Sequence, residues 1–476
     1  PNPISKLTVE SQTNISITLR WEAPDLQNYT YWVQCTGDDG KKETRNTTDV
    51  TYTAEGLTPA TSYLFSVWAE KHGVPSSVQT QDGSTAPNPV RDLTVESQTT
   101  SSISLRWGTP QGPDHSSYTY WVSWTMEGGV ATGTRNTRDT RVTVDAMEAG
   151  TLYTFTVWAE RNGVNSSKET CTGATVPNAV RNLQVQDQTT SSITLSWTAP
   201  QGPDHPPYTY WVSWTMEGGV ATGTRNTTDT RITVDAMEAG TLYTFTVWAE
   251  RNGVSSSKET LMWATAPKEV TALRNETQTN NSIALQWKAP ADPRYQLYIY
   301  CVRWAGGGPP QGERDPQAHQ VDQIARTKDT WYVVKGLEPG TPYNFNVWAE
   351  RSDVASSTQS LRASTDPDPV TSISCNSISG GYGVTLTWTC PRGGYEAFEL
   401  HVGGQQVSGD RASCGKGLSV SNLQPAQSYA ATVKTIWDGL RAPAASVTCH
   451  TESAGEHSPR GHTVSPDPLR PCADGV

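Results

Sequence analysis

The feature that most limits how this chain can fold is a tryptophan that returns at domain-sized intervals. Trp21, Trp107, Trp197 and Trp287 each close a segment of the form S-I-x-L-x-W, at spacings of 86, 90 and 90 residues. Trp388, in VTLTW, follows after 101 more. A second anchor comes later in each unit: Leu57 to Tyr63, Met147 to Tyr153, Met237 to Tyr243, Leu337 to Tyr343 and Leu423 to Tyr429. A third, Val-Trp-Ala-Glu, stands at 67–70, 157–160, 247–250 and 347–350. Solenoid repeats run to only ~20–45 residues, so a unit of this length is a folded domain.

Each unit holds about seven short segments of alternating polarity separated by turn residues, the pattern of a β-sandwich. Composition agrees: Gly (39) and Pro (31) supply many turns, and Ser, Thr and Val replace the Leu/Ala/Glu/Lys runs of helices. The Trp of the second strand, with the Leu or Met and the Tyr of the later corner, is expected to fill the core. These anchors, without the cysteine pair of an immunoglobulin domain, resemble the fibronectin type III family. The resemblance covers 1–450 and implies an all-β chain of five tandem sandwiches, at 1–85, 86–175, 176–265, 266–366 and 367–450. Residues 451–476, rich in Pro, Gly and charge, are expected to form a disordered tail.

The units also resemble one another in wording. TVESQTTSSISLRW, YTYWV, TRNTT and VWAERNG recur, and 121–164 differs from 211–254 only at Arg138/Thr228 and Val142/Ile232. This wording resembles the extracellular repeats of the receptor-type protein tyrosine phosphatases, most nearly those of the H type. The resemblance implies a glycosylated ectodomain at the extracellular face of a plasma membrane, or a secreted form if the chain is complete. Its catalytic signature, Cys-x5-Arg, holds phosphate on loop amides and Arg while the thiolate attacks. None of the eight cysteines is followed by Arg at that spacing, so the chemistry of those relatives is not expected here. No zinc-binding spacing, phosphate loop or nucleophile elbow is present either; no catalytic residue, metal or cofactor is expected.

Net charge is −11 with no basic block, which argues against nucleic acid. No run of ~18 apolar residues exists to span a membrane. Pro1 opens directly into domain-like sequence, as in a segment whose targeting pieces lie elsewhere. Seven N-x-S/T sequons, at Asn14, Asn28, Asn46, Asn165, Asn226, Asn275 and Asn280, point to the secretory pathway.

Cys375, Cys390, Cys414 and Cys449 fall in the fifth unit, where four cysteines allow three pairings. In a sandwich of this topology the first and last strands end at one pole, and the second strand ends where the fifth begins. That favours Cys375–Cys449 and Cys390–Cys414; the alternative is buried free thiols. Cys35 occupies the inward position of Trp124 and reads as an inert core thiol. Cys301 occupies the outward position of Trp121 and, with Cys171, is a candidate for pairing between chains.

One strand breaks its own alternation. In YTYWVSW, at 118–124 and again at 208–214, Trp121 and Trp211 stand where a polar, outward residue belongs. On the neighbouring sixth strand Trp158 and Trp248 also point out. The pairs Trp32/Trp68, Trp121/Trp158 and Trp211/Trp248, with Trp348 alone in the fourth unit, are expected on an exposed face under Arg45, Arg135 and Arg225. Three readings remain open: a Trp–Arg ladder that covers its own sheet, a docking surface, and C-mannosylation of Trp121 and Trp211 in W-x-x-W. The partner for a docking surface would be a cell-surface protein, a glycan or a second copy of the chain. The short, Pro-bearing linkers predict semi-rigid spacing between domains. An extracellular recognition, spacing or oligomerisation-control segment is the leading reading; a secreted adhesion or matrix protein, or a decoy receptor, is the alternative.

Overall fold

The computed structural model describes residues 1–113, 117–203, 207–306 and 322–455, apart from the side chains of 130–132 and 220–222. Its contacts fall into two units. One holds 1–187, 194–233 and 243–263; the other holds 188–193, 234–242 and 264 onward. The first unit contains the second sandwich, in which the logic of all five is clearest.

The first, second and fifth strands of that sandwich, Arg91–Gln98, Ile103–Gly108 and Arg141–Val144, form a three-stranded sheet. The fourth, third and sixth, Val130–Thr137, Thr119–Met126 and Leu152–Arg161, form a second sheet with a short Val164–Asn165 strand and the last strand, Glu169–Ala174. Alternation does the sorting, because successive side chains leave a strand on opposite faces. Tyr120, Val122, Phe155 and Val157 turn inward to meet Ile103, Leu105 and Trp107, while Thr154 and Thr156 turn out. Trp107 meets Tyr120 edge-on, at 5.5 Å between ring centroids. Tyr153 closes the corner by accepting the Glu148 backbone N–H at 2.8 Å. Tyr63 does the same for Thr58, Tyr343 for Glu338 and Tyr429 for Gln424.

The linkers carry a lock that their prolines do not announce. Thr175 accepts the backbone N–H of Thr151 at 3.0 Å and donates to the carbonyl of Glu148 at 2.5 Å. Thr85 in the first unit repeats this, as do Thr265, Thr365 and Thr451 in the second, each bonded 24 and 27 residues back. Thr451 is buried, and Glu452 donates its N–H to Ser377, so these two residues belong to the fifth sandwich rather than to the tail. From residue 456 the expected disordered tail lies outside the described residues.

In the second unit the fourth and fifth sandwiches repeat the paired three- and five-stranded sheets. The fifth carries two disulfides. Cys375 on its first strand is joined to Cys449 on its last, and Cys390 to Cys414 in a four-residue helix before the fifth strand. No helix among the described residues is long and apolar enough to cross a membrane.

Candidate functional site: a tryptophan face repeated along the chain

The third and sixth strands pair so that Trp121 lies directly opposite Trp158, Trp211 opposite Trp248 and Trp32 opposite Trp68. Residues directly opposed in an antiparallel ladder share a face, so each pair stands together outside the sheet. Trp121 and Trp158 stack at 6.4 Å between centroids with 11° between planes, and Trp211 and Trp248 at 6.4 Å and 12°. Each of these rings is half-buried rather than exposed, because its stacked neighbour covers it. The Trp121 indole N–H donates to Glu160. Those of Trp32 and Trp211 are covered and have no acceptor among the described residues.

The cations expected over this face are elsewhere. Arg135 is opposed to Val122, Arg225 to Val212 and Arg45 to Val33, and those valines point into the core. The three arginines therefore leave the edge strand on the other side. Arg135 and Arg225 donate to the carbonyls of Thr143 and Thr233 at 2.8 and 2.9 Å, and Arg45 pairs with Glu43. The cations that do cover the rings are lysines from the loop before the last strand. Lys168 Nζ lies 4.7 Å from the Trp158 ring and Lys258 Nζ 4.6 Å from that of Trp248, a cation–π contact worth ~0.5–1 kcal/mol when exposed. Sequence reasoning missed them because a loop residue has no strand register to count.

The residue that does face each outer tryptophan across the edge is an asparagine. Asn46 opposes Trp32, Asn136 opposes Trp121 and Asn226 opposes Trp211. In the fourth sandwich the row reads Arg326, Cys301, Trp348. There Glu350 accepts from Arg326 at 2.8 Å and from the Trp348 indole at 3.1 Å. Cys301 holds the outward register position but is fully buried beneath these groups, and burial foremost pushes its thiol up to about 12. It is therefore not the accessible thiol that its register suggested. Cys171 is half-buried and packs against the core, with its thiol raised by desolvation. Cys35 is a core residue, its thiol raised to about 11 chiefly by burial. In the fifth sandwich Glu399 opposes Lys434 in place of the tryptophans and binds His401 and Arg441.

The fibronectin type III domain family matches residues 2–82, 88–172, 178–261 and 265–365. The chain belongs to the fibronectin type III family. Its modules are 58% identical over 458 residues to the receptor-type tyrosine-protein phosphatase H of Homo sapiens, covering 96% of this chain and 41% of that protein. They are 30% identical to the receptor-type tyrosine-protein phosphatase eta of Gallus gallus, over 95% of this chain and 32% of the relative. Tenascin-R of Gallus gallus is 26% identical over 84% of this chain and 29% of its own length. The chain thus spans about two fifths or less of these relatives. These fibronectin type III modules are an extracellular segment of the receptor-type tyrosine phosphatase kind, and no catalytic phosphatase domain is among them.

The fibronectin type III scaffold sorts the seven sequons by exposure. Asn28, Asn46, Asn165 and Asn226 are exposed. Asn14 and Asn280 are half-buried and donate to Asn88 at 2.8 Å and Asp368 at 2.7 Å, which ties each to the linker that follows its module. Asn275 opposes the buried Leu285 and is half-buried on the core side of its strand.

Proposed function

We propose that these modules serve extracellular recognition and spacing for a tyrosine phosphatase domain carried by another part of the whole protein. The observation that carries the reading is the 58% identity to a receptor-type phosphatase across 96% of the chain. The joints support spacing. Asn88 accepts from Asn14 at 2.8 Å and donates to the carbonyl of Gln111, which ties the first two modules to their linker. Arg251 bonds the carbonyl of Pro203 at 2.9 Å, lies over Tyr208 and reaches Glu127 of the preceding module at 3.4 Å. Ser364 donates to Asp438 at 2.7 Å between the fourth and fifth modules. Side-chain bonds at a joint restrict the motions that are otherwise the default between domains.

The proposed partner is a cell-surface protein or glycan, with a second copy of the chain among the candidates. The test is a receptor with this segment deleted, compared with the intact receptor in cells and after detergent extraction. Deletion should change receptor clustering and the dephosphorylation of membrane substrates, with the turnover of the extracted enzyme unchanged. Unaltered clustering and substrate use would refute the reading.

A further inference from the structure

We infer that Asn226, and likewise Asn46, carries an N-linked glycan whose first N-acetylglucosamine lies over the outer tryptophan of its module, Trp211 or Trp32, and is the cover of that edge of the sheet. The inference rests on the extracellular reading above, since the modification occurs in the secretory pathway.

Asn226 and Trp211 are directly opposed in the ladder, which sets their Cβ atoms ~4.5–5.5 Å apart on one face. Asn46 and Trp32 share this geometry. Both asparagines are exposed and begin a sequon, Asn226-Thr-Thr and Asn46-Thr-Thr. Neither carboxamide makes a hydrogen bond among the described residues, so the nitrogen is free to react. The transfer forms a bond from Asn Nδ2 to C1 of the sugar and breaks the C1–O bond of a lipid-diphosphate-linked oligosaccharide. It releases the lipid diphosphate and one proton, with no change in oxidation state.

The attached ring then has one place to go that removes apolar surface from water. A pyranose presents a face of C–H groups, and the indole presents a flat π-face of matching size. In the third module the row across the sheet runs Asn226, Trp211, Trp248, Lys258. Lys258 covers the far indole, so the near one is the ring left for the sugar. The fourth module shows the same edge filled by protein: Arg326 stands where the asparagine would be and lies in the Glu350 cluster.

The second module is a built-in control. Its Asn136, Trp121, Trp158 and Lys168 repeat the third module's row, but Arg138 replaces Thr228 and abolishes the sequon. Two faces of the same residues, one with an acceptor and one without, thus lie in one molecule.

The experiment is hydroxyl-radical footprinting with peptide mass mapping on the full chain, secreted from a glycosylating eukaryotic host. Peptides holding Trp158 and Trp248 are resolved by Val142/Ile232, and those holding Trp121 and Trp211 by the different residues before Tyr118 and Tyr208. Asn226 should be occupied, and Trp211 should oxidise about twofold or more slowly than Trp121, as covering a half-exposed indole requires. Thr228→Arg, which copies the second module, should abolish that difference; Arg138→Thr should transfer protection to Trp121. Both positions are exposed, so the variants leave the core alone. An occupied Asn226 with Trp211 oxidised at the Trp121 rate would overturn the inference. So would a bare Asn226 beside occupied Asn28 or Asn165, which leaves the extracellular reading standing. Protection that survives Thr228→Arg and accompanies a hexose on the Trp211 ring would place the sugar on carbon instead and overturn it too. A chain secreted bare at every sequon removes the reading on which the inference stands.

Discussion

The two disulfides of the fifth module should differ in their contribution to stability, in an order set by loop length. Cross-linking the chain removes loop-closure entropy from the unfolded ensemble, more for a longer loop. Cys375–Cys449 closes 74 residues and Cys390–Cys414 closes 24, which gives ~4.5 and ~3.5 kcal/mol at 25 °C. A domain of this size is stable by only ~4–13 kcal/mol, so losing either bond removes between a quarter and all of that margin. The longer bridge also ties the three-stranded sheet to the five-stranded one, since its cysteines lie on the first and last strands. The assay is urea titration of the full chain read by hydrogen exchange in peptides of each module, comparing Cys375→Ala/Cys449→Ala with Cys390→Ala/Cys414→Ala. Reading each module separately matters, because several domains do not melt as one two-state unit. The first double variant should lose ~1 kcal/mol more than the second, with peptides around Trp107 and Trp287 unchanged. The reverse order would refute the loop-length argument, and a Cys375–Cys390 peptide in a non-reducing digest would refute the pairing itself.

Acid should weaken the first module through Asp39. Burial alone would raise its carboxyl, but hydrogen bonds from Tyr63, Thr58 and the Lys41 backbone outweigh burial and hold it below the ordinary range. A depressed native value contributes stability that is full above the unfolded value of ~3.9 and is lost as pH falls through the native one. Exchange in the 57–63 corner should therefore rise below about pH 4, and Asp39→Asn should flatten that dependence. Thr175→Val keeps the shape of the linker residue but orphans the buried Thr151 N–H, so the second module should lose ~1–3 kcal/mol in the same urea assay; wild-type stability would dismiss the lock. Arg251→Met should cost ~1–2 kcal/mol at the joint between the second and third modules, less than for a closed pair because Glu127 regains water. Faster exchange at Gln201 and Gly202, just before the Pro203 carbonyl that Arg251 binds, reads this out, and unchanged exchange would show that the joint does not depend on the guanidinium.

Much of this fold was legible because alternation and spacing carry it. Tyr120 and Val122 are inward for the same reason that Trp121 is outward, and the Trp121–Trp158 pairing followed from two strands that each kept period two. What was not legible was which side chain crosses the edge of the sheet to meet Trp121, because that depends on a hairpin register the residues do not display. Near the turn the strands pair as Met126 with Val130 and Thr125 with Ala131. Carried straight on, that register would bring Arg135 against Trp121. A bulge intervenes: Trp124 pairs with Gly133, so one extra residue stands between Ala131 and Gly133 and every later pair shifts by one. Glycine is needed there, since a Cβ on residue 133 would lie 2.5 Å from the Trp124 ring. A shift of one residue exchanges the faces of the whole strand, which sends Arg135 to the core side and brings Asn136 beside the tryptophan. The first module reaches the same row without a bulge. Its hairpin is one residue shorter, with Asn46 following Trp32 by 14 positions where Asn136 follows Trp121 by 15, and where the second sets Trp124 against Gly133 it sets the smaller Cys35 against Glu43. Two hairpins of different length thus deliver an asparagine to an outward tryptophan. The reach of this face toward a sugar or a partner is set by the bulge and the turn, features for which periodicity has no signal.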